Sequence, residues 1–386
     1  MLIISFDAVG DSEFEVMERF PAFSAFVKQS AVFRDVPSVF LSNTYPIHAS
    51  VATGVTPDLH GVASNTEPFP TPHPFWNNRE DCIKAKTIWQ AAFENSIDTA
   101  AVFWPVTAGS GTIIYNIPEV KARPGKSQII TSLKAGSKGL QMKLFLRYKA
   151  LLDGIEQPNL DAFATACMAD ILRKHKPGLA LIHLTAYDSL CHKNGKGSAE
   201  LQTAFESLDR NLAILLEAAG DGRDVIVFSD HSQINIHTIL DPNAALVETG
   251  LLRTDGSGYA PGESGCFIEC CGGSAFFHSG RLSPPQTDQI RETISQSEGF
   301  RRFLTEEEMQ VSGRDNVAFG FCAKEGYCYE AFSSGEKANH GYPLDTPDYK
   351  VFYAVRGSGF EAGSVKEGGS LLDIAPMAAR SLGFEL

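Results

Sequence analysis

Three aspartates and three histidines are spaced along the 386 residues in a way that suits metal ligation, and each aspartate follows a short apolar run. Asp7 follows Leu2 to Phe6 (LIISF), Asp188 comes a few residues after Leu179 to Leu184 (LALIHL), and Asp230 follows VIVFS, the run that begins at Val225. Carboxylates gathered without partners repel one another. A cation between them is the simplest remedy, and more than one would serve better. Histidines stand where such cations need them. Asp188 and His192 form an Asp-x3-His pair, a spacing that puts both on one face of a helical turn. His231 directly follows Asp230 in FSDHSQ, and a turn after a strand can present both side chains. His340 lies in ANHGY, beside a glycine. Mixed oxygen and nitrogen ligation suits Zn2+, with Mn2+ or Fe2+ as lesser alternatives. Each residue also has an ordinary reading: an aspartate after a strand as a turn former, a loop histidine as a solvated one, Asp188 with His192 as a helix-start charge pair. The joint placement carries the inference.

A nucleophile candidate lies in SNTYPIHASVATG. Thr44 precedes a helical pattern that starts around Pro46. Free backbone N–H groups at a helix N-terminus attract an anion to the space beside its hydroxyl, and a nearby metal can lower the pKa of that hydroxyl. The competing reading is that Thr44 is an N-cap and nothing more.

The elements that must position these residues follow from the same runs. LIISF, LALIHL and VIVF have the length and composition of strands buried on both faces. Amphipathic helical patterns lie between them, at Ser24 to Ser30, Lys86 to Asn95, Leu160 to His175 and Ser198 to Ala219. Strands alternating with helices indicate an α/β fold with a largely parallel sheet covered on both sides. Ligands of such a sheet bind beyond the carboxyl ends of its strands, where all three aspartates fall. The stretch 241–337 reads differently: it is rich in Gly, Ser and Cys, with short apolar segments and a capped helix from Ser283 to Gln296. It is expected to be an inserted cap, with 1–240 and 338–386 forming the catalytic core. Gly125 to Pro158 reads as a second, helical excursion, and the strand Tyr349 to Val355 and the helix Leu371 to Leu382 return to the core.

Hydrophobic residues make up 43% of the chain, enough for a large core without disulfides. The net charge of −13 argues against a nucleic-acid polymer as partner but not against a small anion, since bound metal reverses the local potential. No signal-peptide pattern opens the sequence and no apolar run is long enough to span a bilayer, so a cytoplasmic protein without a membrane partner is expected. The eight cysteines include no CxxC pair and are expected to be reduced. GCFIECCGG reads as a buried strand rather than a metal clip. Oligomeric state is not written in the sequence.

These segments together resemble the alkaline phosphatase superfamily, and within it the type I phosphodiesterase/nucleotide pyrophosphatase family. The resemblance rests on FDAVG at Asp7, SNTYPIHASVATGVTPDLHGV at Thr44, SNTEPF at Asn65, FWP at Trp104, the Asp188/His192 pair, FSDHSQ at Asp230 and NHGY at His340. It implies a three-layer α/β/α fold with a smaller inserted cap, and two zinc ions close together. Asp188, His192 and His340 would hold one; Asp7, Asp230, His231 and the Thr44 oxygen would hold the other. Asn65 would donate a hydrogen bond to a phosphoryl oxygen. Thr44 would attack phosphorus in line, form a phospho- or nucleotidyl-threonine, and be released by water. Two departures bear on substrate. Many relatives carry Glu-Pro-Asp-x-x-Gly-His where this chain reads Ala186-Tyr187-Asp188-Ser189-Leu190-Cys191-His192, and Ser232 follows the Asp-His pair where glycine is frequent.

The function expected is a metal-dependent phosphoric-ester hydrolase, a phosphodiesterase or nucleotide pyrophosphatase acting on a small phosphorylated substrate such as a nucleotide or another phosphodiester. The alternatives are a phosphomonoesterase, a phosphonoacetate hydrolase-like enzyme cleaving a C–P bond, and an inactive metal-binding relative. The phosphonate reading needs cations for the substrate carboxylate, for which Lys193 and Lys196 are the candidates. Trp104, Phe40 and Tyr45 are candidates for lining a leaving-group pocket or for the core.

Overall fold

The computed structural model describes residues 1–255 and 258–386. Eight segments build one sheet: β1 (Leu2–Phe6), β2 (Ala31–Val36), β3 (Thr99–Val102), β4 (Tyr115–Ile117), β5 (Leu179–Leu184), β6 (Val225–Ser229), β7 (Val351–Arg356) and β8 (Val365–Glu367). Their order across the sheet is β8-β2-β7-β6-β1-β5-β3-β4. All pair in parallel except β7, which runs antiparallel to both β2 and β6. The three apolar runs become neighbours at the centre, with Phe6 level with Leu184 on one side and Ser229 on the other. Asp7 and Asp230 therefore leave the same edge, and Asp188 follows within the first turn after β5.

Period-two alternation sends successive side chains of β1 to opposite faces. Leu2, Ile4 and Phe6 join one buried cluster with Phe23 and Phe26 of helix Pro21–Lys28, Met168 of helix Asn159–His175 and Leu212 of helix Leu201–Ala219. Ile3 joins the other cluster with Ile47 of helix Thr44–Thr53, Trp89 of helix Ile88–Glu94 and Met377 of helix Ile374–Leu382. The result is three layers, α/β/α. Each fully buried Leu, Ile or Phe contributes about 1.5–3 kcal/mol, which fixes the strand register and with it the level of the aspartates.

Within 125–158 the chain forms helices Gln128–Ala135 and Lys138–Tyr148. Within 241–337 it builds a second, four-stranded antiparallel sheet, in which GCFIECC supplies the strand Phe267–Cys271 paired with Ser274–His278. Helix Pro284–Ser295 starts at Ser283 with a capping box completed by Gln286. A separate apolar cluster, with Phe277, Phe319 and Phe321, lies under this sheet. Every cysteine is a free thiol. Among the described residues no helix is long and apolar enough to cross a membrane.

Candidate metal centre

Asp7 is the first residue beyond β1, and its N–H still bonds to the Leu184 carbonyl at 3.0 Å. The chain then turns at Ala8, whose φ of 62° lies in the left-handed region that non-glycine residues rarely enter. That turn aims the Ala8 N–H at Asp230 Oδ1, at 3.0 Å, and the His231 N–H reaches the same oxygen at 2.9 Å. Asp230 is thereby held by one oxygen while Oδ2 stays unbonded. Asp7 Oδ1 and Asp230 Oδ2 are both buried and accept no hydrogen bond among the described residues. They lie 3.4 and 3.5 Å from His231 Nε2. An orphaned buried acceptor costs on the order of 1–3 kcal/mol. Two of them beside an imidazole nitrogen make the donor set that a zinc-like ion takes.

Each histidine presents Nε2 by committing Nδ1 elsewhere. His231 Nδ1 reaches the Ser232 carbonyl at 3.3 Å. His340 Nδ1 donates to Asn43 Oδ1 at 2.9 Å. His192 Nδ1 donates to the Ala338 carbonyl at 2.8 Å and lies 3.0 Å from Glu336. Such outer partners fix ring orientation in metal sites. Asp188 and His192 both lie on helix Ala186–Asn194, one turn apart, with His192 Nε2 3.2 Å from Asp188 Oδ1.

Among the described residues three groups of donor atoms converge to within 4.8 Å: Asp7, Asp230 and His231; Asp188, His231 and His340; and, deeper in the core, His48, His183 and Asp230. His231 belongs to the first two. His192 is absent from the second tight group and enters through Asp188, with its ring centroid 5.3 Å from that of His340. The residues fit a pair of adjacent cations that share His231's neighbourhood.

Glycine is required where the His340 loop meets the second sheet. Gly341 has φ of 80°, and a Cβ there would sit 1.8 Å from the Cys271 carbonyl oxygen; one on Gly272 would sit 2.1 Å from the His340 carbonyl oxygen. The CCGG turn thus abuts the backbone of His340.

Thr44 is the first residue of helix Thr44–Thr53, whose N-cap is Asn43; no side chain caps it. The N-cap reading of Thr44 does not hold. Its Oγ1 instead lies 3.3 Å from His231 Nε2, the atom that faces Asp7 and Asp230. Asn65 is tied to the same helix start, because the Tyr45 N–H donates to Asn65 Oδ1 at 2.8 Å. Among the described residues nothing accepts from the amide nitrogen of Asn65. Asn77 braces that turn, its side chain donating to the Ser64 and Thr66 carbonyls at 2.9 and 3.0 Å.

Burial drives the electrostatics. It raises Asp7 well above the ordinary carboxylate range, reinforced by Asp188 and Asp230. It raises Asp230 to about 6 and lowers His231 to about 4. Burial, with His231 and His192 adding to it, lowers His340 to about 3. Burial also acts to raise Asp188, but His192 and the other two imidazoles outweigh it and hold Asp188 below its usual range.

The sequence reading missed two histidines beside this centre, His48 and His183. His48, fully buried, bonds the Thr44 carbonyl at 2.8 Å and Ser5 Oγ at 3.0 Å. His183 lies 3.0 Å from Asp7 Oδ2 and 3.5 Å from Glu119. The i,i+4 spacing of Thr44 and His48 was a usable sign, and so was one polar residue inside LALIHL. Nothing local marks Glu336 or Asn43. Trp104 is wholly buried, edge-on to His48, and Phe40 is buried among Leu41 and Phe276, which agrees with a core role for each. Tyr45 is buried against Trp76. Cys191 is buried in the core.

Comparison with known proteins matches residues 1–319 to the family described as type I phosphodiesterase / nucleotide pyrophosphatase. The bis(5'-adenosyl)-triphosphatase ENPP4 of Pongo abelii is 22% identical over 418 aligned residues, covering all of this chain and 78% of that protein. Among solved structures, an inactive variant of murine ectonucleotide pyrophosphatase / phosphodiesterase 5 in complex with AMP superposes with a TM-score of 0.72 at 16% identity, covering 100% of this chain and 95% of that one. The phosphonoacetate hydrolase of Sinorhizobium meliloti, in complex with phosphonoacetate, gives 0.67 at 16% identity, covering 99% and 95%. The family match spans most of the chain, the α/β/α architecture agrees with it, and the chain belongs to the type I phosphodiesterase/nucleotide pyrophosphatase family of hydrolases, in the alkaline phosphatase superfamily.

Proposed function

We propose that the chain hydrolyses phosphodiester or pyrophosphate bonds of a small substrate such as a nucleotide, with Thr44 as nucleophile and two divalent cations, zinc foremost, as cofactors. The observation that carries this reading is the meeting of Thr44 Oγ1, His231 Nε2 and the two unbonded carboxylate oxygens of Asp7 and Asp230. Asp7, Asp230, His231 and Thr44 would hold one cation; Asp188, His192 and His340 the other. Bound there, the cations would supply Lewis acidity to the phosphoryl oxygens and lower the pKa of a hydroxyl.

The chain's own residues do the rest. The helix start places Thr44 Oγ1 where backbone N–H groups draw in an anion. Thr44 Oγ1 bonds to phosphorus as the bond to the leaving oxygen breaks, and water then cleaves the threonine ester from the vacated side. Asn65 Nδ2 donates to a non-bridging oxygen as charge accumulates there. AMP in the murine relative's structure and the triphosphatase name of ENPP4 support a nucleotide as substrate. The core 1–240 with 338–386 would supply the chemistry and the cap 241–337 would bear on selectivity, since its CCGG turn abuts His340. The phosphonate alternative loses one of its cations: Lys196 Nζ is engaged by Glu13 at 3.2 Å and Ser12 at 3.0 Å.

The test is turnover of bis-p-nitrophenyl phosphate by Thr44→Ala. A fall in kcat on the order of 10³-fold or more is expected for a lost nucleophile. Full turnover by the variant removes Thr44 from the chemistry.

A further inference from the structure

Between Val120 and Leu152 the chain carries eight lysines and arginines and not one aspartate or glutamate. The net charge of the whole is −13, so this stretch reverses the sign that prevails elsewhere. It forms the helical excursion, with helices Gln128–Ala135 and Lys138–Tyr148 and a last short turn at Lys149–Leu151. Among the described residues only one of these cations meets a carboxylate: Arg147 lies 2.8 Å from Asp170.

One side of the excursion is fixed to the molecule. Leu144 is buried in a core cluster, with Leu140, Phe145 and Tyr148 packed against it. Gln141 ties the two helices together by donating to the Ser132 carbonyl at 2.9 Å. The Tyr148 hydroxyl donates to Asp170 of helix Asn159–His175 at 3.2 Å. The other side is open. Met142 and Leu146 stand one turn apart and exposed, Leu146 by 60%. Lys138 precedes Met142 by four residues and Lys149 follows Leu146 by three, spacings that keep all four on one face, and all are exposed. Lys143 is exposed beside them. On the first helix Ile129 and Ile130 are exposed at 47% and 55%, with exposed Lys134 one turn after Ile130. An outward helix face ordinarily carries polar residues at such positions.

We propose that this excursion docks the protein on an anionic lipid surface. Its aliphatic side chains would enter the headgroup layer, and the lysines around them would reach the lipid phosphates with their stems lying along the apolar contact. No helix among the described residues can cross a membrane, and docking on the surface requires none. Charge complementarity alone would also suit a nucleic acid. The exposed large residues of the two helices are aliphatic, however, and give bases no ring to stack on. A second copy of the chain fits worse, since a two-fold contact centred on this face sets lysines against lysines. The proposal needs no turnover and stands apart from the hydrolase reading.

The experiment is flotation of the full chain with vesicles of phosphatidylcholine alone and of phosphatidylcholine with phosphatidylglycerol in equal amounts. The wild type is expected to float with the mixed vesicles, not with the neutral ones, and to bind less as salt rises. Lys134→Glu/Lys138→Glu/Lys143→Glu is expected to lower partitioning about tenfold or more, given the attraction each cation near such a surface contributes. Met142→Gln/Leu146→Gln is expected to weaken binding while keeping its salt dependence. All five side chains are exposed, so both variants should melt with the wild type and hydrolyse bis-p-nitrophenyl phosphate as it does. A wild type that stays unbound, or that binds neutral and mixed vesicles alike, overturns the proposal. So does either variant partitioning as the wild type does, and so does a wild type that binds a single-stranded oligonucleotide but not the mixed vesicles.

Discussion

Asn65 shows how one side chain acquires a direction. Its carbonyl oxygen accepts the Tyr45 N–H, so its amide nitrogen must face away from the helix start. The side chain lies partly open to solvent and carries little of the core. Asn65→Ala is therefore expected to lower kcat by about 10²–10³-fold, the loss seen when a donor to developing negative charge is removed, with melting temperature nearly unchanged. Steady-state kinetics beside a thermal melt would check this, and a kcat within threefold of wild type would remove Asn65 from that role. At this scale the sequence was most informative about residues beside recognisable elements. Asp7 and Asp230 stand at the ends of apolar runs, and Asp188 and His192 keep helical spacing. The partners that orient them are distant in sequence: Glu336 beside His192, Asn43 beside His340, Glu119 beside His183. No local pattern encodes a contact between residues so far apart along the chain.

Elements add what single residues lack. The second sheet is pinned by one buried ion pair. Arg314 donates to both oxygens of Glu269, at 3.0 and 2.9 Å, and lies over the Phe276 ring. Burial acts to raise Glu269, but Arg314 and His278 outweigh it and lower the carboxyl to about 2, from an ordinary 4.5. A carboxyl depressed on folding stabilises above its unfolded value and loses that contribution as pH falls from about 4.5 toward 2. Glu269→Gln leaves a buried guanidinium half-paired and is expected to cost about 3–5 kcal/mol at pH 7. Denaturant unfolding of both proteins should show this gap narrowing as pH drops below 4.5; a gap absent at pH 7, or constant with pH, contradicts it. The segment 241–337 read clearly where it carried a punctuated pattern, as in the Ser283 capping box, and in GCFIECC as a strand. The far strands of the same sheet, Phe300–Phe303 and Phe319–Ala323, carry no alternation strong enough to mark their pairing.

At the scale of the whole molecule, apolar runs and helical periods gave α/β layering, because those patterns are local. Strand order is not local: β7 enters antiparallel between β2 and β6 from near the chain's end. The sheet nevertheless delivers three aspartates to one edge, and that has an energetic consequence. Asp7 is held high by burial and by the other two carboxylates, so folding without cations works against that repulsion. Ions bound only by the native state should stabilise it by about 2.7 kcal/mol per site at a hundredfold excess over Kd. Chelation is expected to lower Tm by several degrees and abolish turnover, and adding zinc back should restore both; a Tm indifferent to chelator and zinc speaks against a cation centre.

The central claim, that Thr44 attacks phosphorus, is tested most directly by acid quench during turnover of bis-p-nitrophenyl phosphate, followed by peptide mass spectrometry. A p-nitrophenyl phosphoryl adduct on Thr44, absent from Thr44→Ala, is the expected result. An adduct on another residue, or turnover with no adduct at any quench time, contradicts it.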